Sequence, residues 1–213
     1  MRLRPHFALS AMSSLSASPQ TGGDMPIYVI RPGETDYESQ SRVQGALNLP
    51  MNVEGNRQVD DMIPSVESAG LHTIYTSPTE PALSAAKRLA QALHLPLKVL
   101  DNLENVDFGL WQGLSIEEIK HRQPKVFKKW EDTPESVCPP EGETCDEVVQ
   151  RVEQALRKPL KKRKPFAVVA SEPLATLIVS LLKGQSPQFP GPQSSCHPEH
   201  RVECVQELKS FAG

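Results

Sequence analysis

Three segments put charged or hydroxyl-bearing residues directly after a short β-rich apolar run: Arg31-Pro32-Gly33-Glu34-Thr35, Thr76-Ser77-Pro78 and Ser171-Glu172-Pro173. A fourth candidate, Glu104, follows a similar run by a few residues. Arg31 is a fixed cation suited to holding an anion, and Glu104 is a carboxylate able to move a proton. Glu34, Glu38 and Glu172 add negative charge to the same set, and Thr35 and Ser171 add hydroxyls. A hydroxyl nucleophile needs a general base within hydrogen-bond reach. None of the 6 histidines follows such a run. His6 lies in an N-terminal tail, His72 precedes an apolar run, His94 ends a helical pattern, His121 falls mid-helix, and His197 and His200 are C-terminal.

The elements that must position these residues alternate in period. Ile27-Tyr28-Val29-Ile30 is a continuous apolar run suited to a strand buried on both faces. Val59, Met62, Ile63 and Val66 form a helical face that Pro64 is expected to kink. Thr73–Thr76 is predicted as the second strand. A helix faced by Leu83, Ala86, Leu89, Ala90 and Leu93 should follow, opened by Ser77 as N-cap and Pro78 at the first helical position. Leu97–Leu100 is the third strand. Ser115-Ile116-Glu117-Glu118 and Thr144-Cys145-Asp146-Glu147 have capping-box spacing and start helices. Phe166–Ala170 is the fourth strand, backed by a helix over Leu174–Leu182. Such alternation predicts an α/β fold: a three-layer α/β/α sandwich with a mainly parallel central sheet. Ligands of open α/β sheets bind beyond the carboxyl ends of the strands, where all the residues above are expected to lie.

Five segments, in order, resemble the histidine phosphatase superfamily, the phosphoglycerate-mutase-like family. They are Ile27 to Thr35 for its R-H-G-E-T strand end, Arg42-Val43-Gln44-Gly45 for its R-x-Q-G, and Tyr75-Thr76-Ser77-Pro78. Leu103 to Gly113 and Glu141-Gly142-Glu143-Thr144 complete the set, so the likeness runs from Ile27 to about Leu182. The resemblance implies a phosphoryl transfer through a phosphohistidine. A histidine attacks phosphorus, two arginines and a second histidine hold the phosphoryl oxygens, and a carboxylate after the third strand protonates the leaving group. Fixed cations around developing negative charge make that division physically sensible.

Carried over residue by residue, most of that machinery is replaced. The first arginine is matched by Arg31 and the proton donor by Glu104. The attacking histidine is Pro32, the second arginine is Pro81 and the second histidine is Ser171, with Glu172 where the family has glycine and Glu38 where it has asparagine. Arg31 therefore faces Glu104, Glu38 and Glu172 rather than a ring of cations. A phosphomonoester carries roughly −1.5 to −2 charges, and like charges at ~4 Å repel by about 1 kcal/mol even in water, so poor phosphate binding is expected. Losing a nucleophile alone costs on the order of 10⁴–10⁶ in turnover. The expected function is a catalytically inactive member acting as a binding or regulatory module. The alternative is a phosphomonoesterase or mutase using an altered residue set, with Ser171 or Thr35 as its hydroxyl. Prolines 32, 81 and 173 are each compatible with a strand end or a first helical turn, so the fold should survive the exchange.

Composition sets the outer limits. The 213 residues allow one domain with tails, or at most two small domains: 1–24 as a disordered tail or false start, 25–183 as the domain, and 184–213 as a Pro-rich extension, expected irregular over 184–198, in which Arg201–Val205 could add an edge strand. Lys+Arg 23 against Asp+Glu 26 gives a net charge of −3, which argues against nucleic acid as a partner. No run reaches the ~18 apolar residues of a membrane span. The 4 cysteines include no C-x-x-C pair, so a reduced, cytoplasmic setting is expected. Cys138 and Cys145 are expected as unpaired thiols beside the Pro139–Glu143 loop. The cluster Cys196-His197-Pro198-Glu199-His200 with Cys204 matches no zinc spacing and reads as solvated tail plus one buried thiol, so no metal or cofactor is expected. Arg157 to Lys164 holds six basic residues in eight, a solvated helix end or else a contact for an acidic partner or for nucleic acid. Trp111 and Trp130 are expected to pack rather than stack on a ligand. The family resemblance leaves a homodimer and a protein partner open.

Overall fold

The computed structural model describes residues 25–196 and 201–206. The N-terminal tail and the His197–His200 part of the cysteine–histidine cluster lie outside them. In chain order the elements are β1 (Ile27–Ile30), the single turn α1 (Asp36–Ser39), α2 (Val53–Glu67), β2 (Thr73–Thr76), α3 (Ala82–Ala92) and β3 (Leu97–Val99). They continue with α4 (Ile116–Arg122), α5 (Pro124–Asp132), α6 (Cys145–Lys161), β4 (Phe166–Val169), α7 (Leu174–Leu182), the short α8 (Pro192–Cys196) and β5 (Val202–Val205). The sheet order is β3-β2-β4-β1-β5, with β5 antiparallel to β1 and every other pairing parallel.

The apolar runs bury both sheet faces, as a parallel sheet requires. Ile27, Val29, Tyr75, Phe166 and Val168 point into one core with Ile116, Trp130, Val152, Leu156 and Leu177. Ile30, Ile74, Ala167 and Val169 point into the other, with Val59, Met62, Ala86 and Leu89. The strands' two-residue period thus assigns α2 and α3 to one layer and α4 to α7 to the other. Trp111 and Trp130 are packing residues, with ring centroids 5.1 Å apart. Among the described residues, no helix is long and apolar enough to cross a membrane.

Both predicted capping boxes form: Ser115 and Thr144 accept from the Glu118 and Glu147 amides while those glutamates accept in return. Three expectations need correction. Helix α3 begins at Ala82 with Pro81 at its N-cap, not at Ser77. The Ser77 hydroxyl closes a local turn with Thr79 instead, a conformation serine favours over helix. The Glu80 carboxylate then takes the Ser84 amide and hydroxyl. Helix α2 continues through Pro64, which forfeits the one helical bond its missing N–H would have made. The extension contains the turn α8 rather than being irregular. Cys204 is exposed, not buried: Val205 turns into the core, so the preceding residue of an edge strand turns out.

The loop that carries Arg31 is wedged against α2 with no space for side chains. A Cβ on Gly33 would sit 1.9 Å from the Gly55 carbonyl oxygen, and a Cβ on Gly55 would sit 2.1 Å from that of Glu34. Backbone cannot yield as a side-chain tip can, so overpacking here moves the whole loop. Gly33→Ala is expected to destabilise the protein by about 1–3 kcal/mol, read as a lowered midpoint in thermal circular dichroism.

Candidate functional site

Arg31 follows β1 directly, and β5 lies beside it: the Arg31 amide donates to the Arg201 carbonyl at 2.7 Å. Its guanidinium is enclosed, with 8% of the side chain exposed. It meets the Glu172 carboxylate, whose side chain is 4% exposed, in a direct ion pair from Nε to Oε1. Nη2 donates to the Thr176 hydroxyl at 3.3 Å, and Nη1 faces the Glu203 carboxylate at 3.7 Å.

Glu172 is held from a second direction by α7. That helix starts at Pro173 with no side-chain cap. Its unsatisfied amides and positive dipole end suit an anion. Glu172 supplies that anion from within the chain: the Thr176 amide donates to Oε2 at 3.2 Å and the Thr176 hydroxyl to Oε1 at 2.9 Å. Guanidinium, helix N-terminus and hydroxyl thus converge on one internal carboxylate.

The other predicted residues are largely committed to structure. Thr35 is fully buried; its hydroxyl donates to Gln44 Oε1 at 2.8 Å and accepts the Glu38 amide. Glu38 accepts the Thr35 amide at 2.8 Å, which closes a capping box on α1. Glu34 accepts from the Asn52 amide at 2.9 Å. Pro81 and Pro173 stand at the N-caps of α3 and α7, positions where a missing N–H costs little. Pro32 is buried, and its carbonyl accepts from the Arg201 guanidinium.

Glu104 is a correction. A 3₁₀ turn ends at Leu103 and the chain continues extended, so side chains alternate: Leu103 is buried, Glu104 exposed and Asn105 buried. The group that turns inward is the Asn105 amide, whose Nδ2 donates to the Gly45 carbonyl at 3.0 Å and the Glu172 carbonyl at 2.8 Å. Arg151 occupies the Glu104 backbone carbonyl instead.

Glu38, Ser171, Glu172 and Pro173 share a hollow with Arg42, Gln44 and the Phe108 and Trp130 rings. Its volume is about 20 Å³, room for a water or so. The hollow is acid-lined, by Glu38 and Glu172, but too small to admit more than that. Sequence reasoning missed Asn105, Thr176, Arg201 and Glu203. The signal for Arg201 and Glu203 was the edge strand itself: antiparallel register with β1 pairs Ile30 with Val202 and Val29 with Glu203. Among the described residues, no cluster of metal-ligating side chains occurs.

Enclosure pushes the Glu38 carboxyl up to about 7; the Thr35 amide and Arg201 oppose that rise, and Glu34 and Glu172 add to it. A carboxyl raised in the folded state binds its proton more tightly there than in the unfolded chain. Its contribution to stability is therefore fullest below its ordinary value near 4.5 and declines as pH rises to about 7. Glu38→Gln keeps an acceptor for Thr35 and removes the charge. The variant should be more stable than the parent at pH 8, by on the order of 1–3 kcal/mol, and the parent's decline between those pH values should flatten in urea titrations.

Relatives of the chain carry phosphatase and mutase names. The "Bifunctional protein Rv2228c" of Mycobacterium tuberculosis is 32% identical over 156 residues, covering 72% of this chain and 40% of that protein. "Phosphoserine phosphatase 1" of Hydrogenobacter thermophilus is 26% identical over 159 residues, 73% of this chain and 75% of the relative. The chain spans well under half the length of the mycobacterial relative. In fold it is similar to the mycobacterial glucosyl-3-phosphoglycerate phosphatase Rv2419c, with a TM-score of 0.71 at 19% identity over 86% of this chain and 98% of the other. Residues 27–197 match the histidine phosphatase superfamily, branch 1, a span that includes β1 to β4, the Arg31 loop and Glu172. The chain belongs to that superfamily.

Proposed function

We propose that this protein is a catalytically inactive histidine-phosphatase-like protein that works as a binding or regulatory module. The observation that carries the reading is the Glu172 carboxylate seated against Arg31, Thr176 and the N-terminus of α7. Those are the groups that would otherwise draw an anion to this end of the sheet. The replacement positions support it: Pro32 has no nucleophilic atom, Pro81 no cation, and Ser171 is a buried hydroxyl with no histidine, among the described residues, in the surrounding hollow. The inward Asn105 amide has no proton to give a leaving group at neutral pH. The free thiols of Cys138, Cys145 and Cys204 fit a reducing, cytoplasmic setting.

The competing reading, an altered-site phosphomonoesterase or mutase, draws on the names of the relatives. Incubation with p-nitrophenyl phosphate separates the two. No turnover and no acid-labile phosphoenzyme are expected. Turnover that co-purifies with the protein and disappears in Ser171→Ala would establish the enzyme instead.

A second measurement addresses the seat directly. Glu172→Gly strands the enclosed Arg31 charge and should cost about 3 kcal/mol. Added inorganic phosphate should recover part of that loss in the variant, while leaving the melting of the parent unchanged. Equal stabilisation of both by phosphate would show the seat open already, and the proposal would fail.

A further inference from the structure

The α6 terminus carries more positive charge than its helix requires. Arg157, Lys158, Lys161, Lys162, Arg163 and Lys164 are all exposed. A helix dipole rewards cations only within the last turn and by less than about 1 kcal/mol each at exposed positions. Among the described residues, no carboxylate oxygen lies within 4 Å of any of these six groups. Tertiary structure then adds a seventh. Lys98 on β3 stands in register with Tyr75 on β2. Lys162 donates to the Tyr75 hydroxyl at 3.1 Å, with its Nζ 5.7 Å from the centre of that ring. The neighbouring Lys162 group holds the Lys98 ammonium below its ordinary range. Sixty-odd residues of chain separate two like charges that the fold nonetheless brings together, with no carboxylate within 4 Å among the described residues.

The same place holds an open sheet edge. β3 ends the sheet, and no strand pairs with its outer side among the described residues. Val99 is 45% exposed beside Lys98. Lysine on an edge strand discourages pairing with a second copy, because an antiparallel dimer across β3 would bring two such basic patches together. It favours a strand of opposite charge. The patch suits neither nucleic acid nor membrane as well. Tyr75 is only 3% exposed and offers no stacking face, the cations crowd one helix end instead of following a groove, and Val99 is too small an anchor for a bilayer.

We propose that the β3 edge and the basic end of α6 form a docking surface for an extended acidic peptide segment of a partner protein. The segment adds as a strand beside Leu97–Val99, and its carboxylates lie against Lys98, Lys162 and the flanking cations. Main-chain pairing supplies affinity and the charges supply selection. The surface is distinct from the Arg31 cluster and does not depend on whether that site is active.

The test uses the full chain and a fluorescein-labelled peptide of about six alternating Glu and Val residues, followed by anisotropy at low salt. Saturable binding is expected, weakened by about tenfold in Lys98→Glu/Lys162→Glu with the melting temperature retained. The exposed pair Lys158→Glu/Lys164→Glu provides a second variant and should weaken binding in the same direction. A peptide with proline in place of valine keeps the charge but cannot form the ladder, and should bind several-fold more weakly. Absence of saturable binding, or equal binding of the valine and proline peptides, would overturn the proposal. So would tighter binding of a short DNA duplex or of phosphatidylserine vesicles.

Discussion

The Arg31–Glu172 ion pair is the constraint around which this end of the molecule is arranged. Both side chains are almost wholly withdrawn from water, and separating either from the other would leave a bare charge in a poorly solvated place. Everything adjacent answers to that. Thr176 donates its amide and hydroxyl to the carboxylate, Asn105 donates to the Glu172 carbonyl, and β5 brings Glu203 to the remaining guanidinium nitrogen. The pair joins the end of β1 to the start of α7, across the pairing of β1 with β4. Arg31 thus ties two elements together.

The replacements at the strand ends are compatible with folding because they fall where backbone demands are slight. Two of the prolines stand at helix N-caps, where no helical bond is waiting for an N–H. The third sits in the Arg31 loop, where the Gly33–Gly55 contact already dictates the path of the chain. The two apolar cores on the sheet faces begin right beside these positions, with Ile30, Ala82 and Leu174 buried. At Arg31 and Glu172 the candidate site and the stability of this end of the molecule rest on the same residues.

The fold was legible in the residues themselves. Short apolar runs, helical faces and two capping boxes placed the four parallel strands and most helices, since both cores are filled by period-2 and period-3.6 patterns that need no partner to be recognised. The edge strand β5 was legible as an element but not as a neighbour. Local pattern does not say which strand another will pair with, so Arg201 and Glu203 stayed invisible as parts of the site. The Glu104–Asn105 exchange has the same origin. Which of two adjacent residues faces inward depends on how a 3₁₀ turn hands over to extended chain, a phase that composition does not record.

By itself the sequence determined the superfamily and the three-layer architecture, because apolar periodicity and ordered motifs are local properties of the chain. Only the tertiary structure decided that Arg31 is neutralised from within, since Arg31 and Glu172 lie 141 residues apart along the chain. The same holds for the gathering of Lys98 and Lys162 on one open edge. Electrostatics acts through distance in space, and a linear order of residues contains no such distances until the chain has packed.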